Sequence, residues 1–288
     1  MIPNLLRDTV TVNRLREFAF GNEDFEALRT LVKQLTGINL SDQKRELVYG
    51  RLARRLRALQ LRSFAEYREV LANDGGKEIV EFCNAITTNL TAFFREPHHF
   101  EYLREHVLKP LAADPTASRK LRIWSAGCST GEEPYSIAIT ILETLQDLRR
   151  WDIRILATDL DSDVLQRGQR GTYAAERVRG LSPERISRFF SQREERKELH
   201  YQVNPEVAAL IAFKQLNLMH PLPMKGPLPV IFCRNVIIYF DKDTQRHLFS
   251  RIAHLQRPGD LLFLGHSESL FKVSEDYGLI GRTIHRRT

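Results

Sequence analysis

The sequence predicts an α/β domain built on a mostly parallel sheet, preceded by an all-helical unit and interrupted by a small antiparallel excursion. Three observations carry this. Apolar residues recur at helical spacing through the first eighty or so residues. From Leu121 onward, short apolar runs alternate with helical patterns: LRIWS, PYSIAITILETL, IRILATD, VLQRG, PVIFC, QRHLFSRIAHL and DLLFLG. That is the rhythm of parallel strands joined by crossover helices. Between Leu181 and Phe213 the rhythm breaks for a charged stretch, RFFSQREERKELHYQVNPEV, too long for a simple loop, in which Leu199, Tyr201 and Val203 alternate.

A chain of 288 residues has room for about two domains. With 42% hydrophobic and 27% charged residues and a mean hydropathy of -0.34, it has the balance of a soluble globular protein rather than a disordered chain. No apolar run approaches the 18 or so residues a membrane helix needs. Arg7, Asp8, Arg14, Arg16 and Glu17 stand where a signal peptide would carry its apolar region. Neither export nor membrane insertion is expected. Cys83, Cys128 and Cys233 lie far apart without a CxxC pair, so neither a disulfide framework nor a zinc ribbon is indicated, and a reducing cytoplasm is the expected location. The net charge of +7 points to an acidic partner, whether nucleic acid, protein or membrane surface.

The first helix is expected over Glu23 to Thr36, where Phe25, Leu28, Leu31, Val32 and Leu35 share a face and Gly37 supplies the stop. The second should start at Ser41, a natural N-cap, and run through QKRELVYGRLARRLRALQL with Val48, Leu52, Leu56 and Leu59 inward. On that helix Lys44, Arg51, Arg55 and Arg62 fall within roughly 40° of each other, with Arg54 beside them. The spacing makes a basic rod about 27 Å long, enough to lie along another helix or a nucleic-acid groove. The plainer alternative is a solvated face, with Glu46 the only internal partner. A Gly75-Gly76 break precedes a helix around Ile79 to Ile86, and NLTAFFREPHHFEYLREHVLKPL then forms a connector leading into a helix after Pro97.

The strand Leu121 to Ser125 runs into AGCSTGEEPYS, a glycine-bearing turn with the S/T-x-x-E capping pattern twice, Ser129 with Glu132 and Thr130 with Glu133. The turn is not G-x-G-x-x-G, and its two glutamates would repel a pyrophosphate at the helix N-terminus. The next strand ends in ATDLD, placing Asp159 where an acid can hydrogen-bond a ribose diol. A positively charged nucleoside without phosphates suits both acids, and S-adenosylmethionine is such a molecule. Otherwise the glutamates serve only as caps, and Asp159 caps the following helix. His98 and His99 lack a His-x3-His or Cys/His cluster, so no metal is expected, and Cys128 and Cys233 have no paired base and read as packing residues.

Four segments carry a more specific likeness: TTNLTAFFRE at Thr87 to Glu96, WSAGCSTGEEPYSIA at Trp124 to Ala138, the pair Asn217-Leu218, and FCRNVIIYFD at Phe232 to Asp241. In wording, order and spacing the chain resembles the CheR chemotaxis-receptor methyltransferases, S-adenosylmethionine-dependent protein-glutamate O-methyltransferases, and the likeness extends over the basic helix RLARRLRAL. The resemblance implies a helical receptor-docking domain and linker over residues 1–86. It implies a class I, Rossmann-like methyltransferase domain over 87–288, with a β subdomain inserted at about 181–213. Arg95 and Tyr239 would be the catalytic residues, Tyr239 facing the reacting centre beside Arg95. Asn89, Thr91 and Arg95 would line the cleft from the connector side, Glu133 and Asp159 would hold the polar edges of the cofactor, Asn217 and Leu218 would flank its adenine, and Arg234 and Asn235 would close the site. Lys44, Arg51, Arg54, Arg55 and Arg62 would dock on the cytoplasmic methylation helices of the receptors.

The implied products are S-adenosylhomocysteine and glutamyl methyl esters used in sensory adaptation, and a monomer is expected. A receptor C-terminal peptide is a further candidate partner at the β subdomain, where Arg188, Arg193, Arg196 and Lys197 lie beside Phe189, Phe190 and Tyr201. The turn Ser191 to Arg196, however, lacks the glycines associated with tethered members. A nucleic-acid methyltransferase is the main rival, but Cys233-Arg234-Asn235-Val236 stands where base-amine methylation commonly uses N/D-P-P-Y/F. Arg95 and Tyr239 argue against a non-enzymatic cofactor sensor.

Overall fold

The computed structural model describes residues 16–195 and 197–288, so Arg7, Asp8, Arg14 and Arg196 lie outside the described residues. Four helices come first: α1 (Asn22–Thr36), α2 (Arg45–Ala58), α3 (Phe64–Asn73) and α4 (Lys77–Ile86). They bury one core that includes Phe25, Leu28, Val32, Val48, Leu52, Leu56, Phe64, Tyr67 and Phe82. Gly37 ends α1 in the left-handed conformation, as its sequence position suggests.

The second helix is shorter than the expected Ser41 to Leu61. A separate 3-10 turn holds Asp42–Lys44, and α2 stops at Ala58. Gln60 adopts φ +56°, while Gln60 N–H donates to Arg57 O and Leu61 N–H to Leu56 O at 3.1 and 2.9 Å. This is a Schellman stop built on glutamine rather than glycine, which is why the sequence does not announce it. Lys44 therefore lies ahead of the helix and Arg62 beyond it.

A connector leads to α5 (His98–Leu103), which continues through a π turn (Arg104–Leu108) into α6 (Lys109–Ala113). Then come β1 (Lys120–Ala126), α7 (Glu132–Thr144), β2 (Asp152–Asp159), α8 (Ser162–Arg170), β3 (Thr172–Ala174), α9 (Ala175–Val178), α10 (Pro183–Phe189), β4 (Phe190–Glu195), β5 (Glu198–Val203), α11 (Pro205–Ala208), β6 (Ile211–Gln215), β7 (Val230–Cys233), α12 (Lys242–Ala253), β8 (Leu261–Leu264), β9 (Tyr277–Gly281) and β10 (Ile284–Arg287). The main sheet has the order β6-β2-β1-β7-β8-β10-β9. Its first five strands are parallel, and β10 runs antiparallel to both neighbours. All residues of β7 and β8 are buried, as a sheet covered on both faces requires. The chain leaves β1 toward β2 on one side and β7 on the other, so a crevice opens at the carboxyl end of β1.

A second, three-stranded antiparallel sheet has the order β3-β5-β4. Its strands span Thr172 to Val203, which moves the excursion relative to the expected 181–213. Thr172 pairs with Gln202, whereas Ile211–Gln215 joins the main sheet beside β2. The cause is packing: the Phe213 ring lies between Gly168 of α8 and Tyr135 of α7, closing the core of the main sheet.

Candidate active site

The turn after β1 is fixed by its own backbone. Gly127 and Cys128 both donate to Thr158 O, at 2.8 and 2.9 Å, tying the turn to the end of β2. Gly127 has φ +81°, and a Cβ there would strike Val236, so this approach admits only glycine. Ser129 N–H donates to Asp159 Oδ2 at 2.8 Å, and its hydroxyl donates to Asn89 O at 3.1 Å.

The expected capping boxes do not form, because the N-cap of α7 is Gly131 and both glutamates fall too early in the helix to reach back. Glu132 is buried against Arg177 and accepts from Thr130 Oγ1 at 2.6 Å. Glu133 turns into the crevice instead. It accepts from Ser125 Oγ at 2.7 Å and pairs with Arg234 at 3.1 Å.

A cleft of about 1300 Å³, open to solvent, runs between the carboxyl edge of the sheet and the helical unit. Asn89, Thr91, Arg95, Glu133, Asp159, Asn217, Leu218, Arg234, Asn235 and Tyr239 all line it, as does Lys44. The sequence reading missed the roof, formed by Thr36, Ile38, Leu40 and Leu47 of the helical unit. Four ties hold that roof down. Asn39 N–H donates to Tyr239 O at 2.7 Å, Ile38 bridges to Phe240, Asn217 Nδ2 donates to Leu35 O at 2.6 Å, and Lys33 pairs with Asp241 at 2.7 Å. In sequence these residues are an ordinary helix end and loop, and no local pattern marks them.

Arg234 organises the charges. Only 5% exposed, its guanidinium meets Glu133 and Glu96, at 3.1 and 3.2 Å, and donates to Arg95 O at 2.5 Å. Burial pushes the carboxyl of Glu96 up, but Arg234 and His266 outweigh it and hold the group at about 2. Burial dominates at Glu133, leaving its pKa raised despite Arg234. Asp159 is raised to about 6 by burial, against the pull of backbone N–H groups at Asp161 and Ser129. Phe94 and Glu96 both hold positive φ, +51° and +58°, so Arg95 sits on a tightly formed turn with its Nη1 donating to Leu90 O at 2.9 Å. Asn89 braces the connector, its amide donating to Asp161 at 2.7 Å and Thr87 Oγ1 at 3.1 Å.

Cys128 and Cys233 are buried, and burial pushes both thiols up, leaving them packing groups. Glu96, His98 and His99 bring possible ligand atoms within 4.8 Å of one another, but the Arg234 guanidinium already supplies Glu96 with a cation. His98 and His99 instead direct Nε2 at Arg282 O, each at 3.2 Å.

The residues fit S-adenosylmethionine. Two acids, buried Asp159 and half-buried Glu133, reach the cleft for the hydroxyls and ammonium group, Leu160, Leu216, Leu218 and Val236 offer apolar walls to a flat base, and Gly127 lets the turn close against Val236 at its rim.

The basic stripe on α2 is not continuous. Arg51 donates to Ile86 O, Thr87 O and Thr88 Oγ1 at 2.5, 2.7 and 3.1 Å, locking the linker. Arg55 forks onto Glu78 at 2.9 and 2.6 Å and reaches Glu81 at 3.0 Å. Glu46, the expected internal partner, pairs with Arg16 instead. Lys44, Arg54 and Arg62 remain exposed and make no ion pair among the described residues. In the β subdomain, Phe189 and Phe190 are buried and do not present the expected aromatic surface, whereas Arg188 is exposed and donates to Leu142 O at 3.1 Å.

Comparison with known proteins agrees with this geometry. The all-alpha domain of CheR methyltransferases matches residues 23–87, and the SAM binding domain of CheR methyltransferases matches residues 89–285. Chemotaxis protein methyltransferase 2 of Pseudomonas aeruginosa is 44% identical over 271 residues, covering 94% of this chain and 95% of the relative. The chemotaxis protein methyltransferase of Salmonella typhimurium is 40% identical over 280 residues, covering 96% and 94%. The chain belongs to the CheR family of S-adenosylmethionine-dependent chemotaxis methyltransferases.

Proposed function

We propose that this enzyme methylates glutamate side chains of chemotaxis receptors in the cytoplasm, forming glutamyl methyl esters for sensory adaptation. The observation that carries the reading is Arg95, which lines the same cleft as Tyr239, Glu133 and Asp159 while its own backbone is gripped by Arg234. When bound, S-adenosylmethionine supplies a methyl group activated by a sulfonium cation.

A glutamate acceptor is ionised near pH 7, so no general base is required, and the protein has to desolvate and aim it. The Arg95 guanidinium suits a carboxylate and serves orientation, since a grip as strong in the ground state as in the transition state would not speed transfer. Tyr239 offers a hydroxyl to the second carboxylate oxygen or to the surroundings of the departing sulfur. The roof of Ile38, Leu40 and Leu47 excludes water, which favours a step that converts two charged reactants into two neutral products. Glu133 and Asp159 hold the cofactor's polar groups, while Leu218 flanks its adenine. Asn217 acts there through its tie to Leu35.

In this reading residues 1–86 dock the receptor and 87–288 carry the transfer. Lys44, Arg54 and Arg62 meet the acidic methylation helices directly, while Arg51 and Arg55 hold the surface that presents them. A receptor C-terminal peptide would have to use the exposed edge of β4 rather than the buried phenylalanines. Among the described residues no helix is long and apolar enough to cross a membrane, which suits a protein that meets its receptors from the aqueous side.

The test is transfer of tritium from labelled S-adenosylmethionine to receptor cytoplasmic fragments, followed by mild base. Label released as methanol is expected. Label that stays on the protein after base treatment, or none transferred, would contradict the reading.

A further inference from the structure

One buried carboxylate lies outside every role assigned so far. Glu268 is 5% exposed and sits in the turn after β8. Its Oε2 accepts from Gly265 N–H at 2.6 Å and Asn235 N–H at 2.8 Å, and its Oε1 accepts from Val236 and Ile237 N–H, both at 2.9 Å. Four main-chain donors converge on one side chain, and among the described residues no cation pairs with it.

Three of those donors belong to the segment between Arg234 and Tyr239 that leaves β7 and lines the cleft. Asn235 holds φ +60° there, so the segment departs from extended geometry at a residue that lines the cleft. Without an acceptor, these consecutive N–H groups would be unsatisfied at a buried strand end. Gly265, the fourth donor, must be glycine because a Cβ would strike the Asn235 amide. Glu268 thus staples the ends of β7 and β8 together and fixes the conformation that places Arg234, Asn235 and Tyr239.

The structure assigns Glu268 as a positioning residue for methyl transfer, acting through the backbone of Asn235, Val236 and Ile237 on cofactor binding and acceptor alignment. The assignment rests on the reading that this segment serves the transfer. A glutamine keeps the shape but turns an amide N–H₂ toward two N–H donors, so Glu268→Gln should raise the Kd for S-adenosylhomocysteine about tenfold and lower kcat by a similar factor. The KM for receptor fragments should not change. Glu143→Gln, at an ion pair with Arg185 away from the cleft, is the comparison for a purely structural loss: its melting temperature should fall while its Kd stays that of wild type.

Calorimetry with S-adenosylhomocysteine needs no receptor, so it separates this inference from the identity of the acceptor. A folded Glu268→Gln protein with wild-type Kd and kcat would overturn the assignment. Should the variant not fold, hydrogen exchange on the intact protein decides: the amides of Asn235, Val236, Ile237 and Gly265 are expected to be as protected as those of β7, and fast exchange there would overturn it.

Discussion

The cleft and the basic face of α2 are held together in different ways. Every residue expected in the cleft lines it, whereas two of the five cations expected on the docking face are committed to internal contacts. The difference lies in what positions the residues. Asp159, Glu133 and Asn235 follow strand ends of one parallel sheet, and strand pairing brings those ends to one edge whatever the side chains do. Arg51 and Arg55 share a face only through their angle around a helix, and an angle does not say which neighbour lies there. The linker took one and Glu78 the other.

The sharpest break of this comparison is expected at Arg95. Replacing it with alanine should lower the single-turnover rate with saturating cofactor by about 100-fold or more, with little change in melting temperature, because orientation in the cleft is its role. Tyr239→Phe should follow with a smaller loss. Full rates in both would place the transfer elsewhere.

Next in size is Arg55. Truncation to alanine strips Glu78, which is 5% exposed, of its main partner, and should destabilise the helical unit by about 3 kcal/mol in chemical denaturation. A stability equal to wild type, with a raised KM for receptor, would return Arg55 to the docking surface.

The legibility of the sequence follows the same division. The parallel sheet, the glycine turn and Asp159 were readable because strand, turn and strand-end acid repeat a geometry that the backbone enforces. The stop at Gln60 was not, since glutamine rarely holds the left-handed conformation and only the contacts around it compel it to. Glu132 and Glu133 looked alike in sequence. Gly131, by serving as N-cap, sends one into the core against Arg177 and the other into the cleft. The roof from Thr36 to Leu47 was unreadable for another reason: its role arises from contacts between residues some two hundred positions apart, such as Asn39 with Tyr239.

A pH series tests the acids of the cleft. Burial pushes the Asp159 carboxyl up to about 6, so it loses charge as the solution is acidified from pH 7 toward pH 5, and burial raises Glu133 as well. Affinity for S-adenosylhomocysteine should fall up to about tenfold between pH 7 and pH 5, the loss expected if only the ionised acid binds. Affinity that is flat over this range, or that rises on acidification, would remove Asp159 from the cofactor's polar groups. The smallest effect concerns the cations that remain exposed. Lys44→Glu with Arg54→Glu should raise the KM for receptor several-fold at low salt, and added salt should erase the difference, with no change in melting temperature.

The central claim, a glutamate acceptor aligned by Arg95 in this cleft, is met most directly by mass spectrometry of receptor fragments incubated with enzyme and S-adenosylmethionine. The expected result is a one-methyl mass increase on glutamate-containing peptides that mild base removes, and that is lost when those glutamates are replaced by glutamine or when the enzyme carries Arg95→Ala. A methyl mark that survives base, or that persists on the glutamine-substituted fragment, would contradict it.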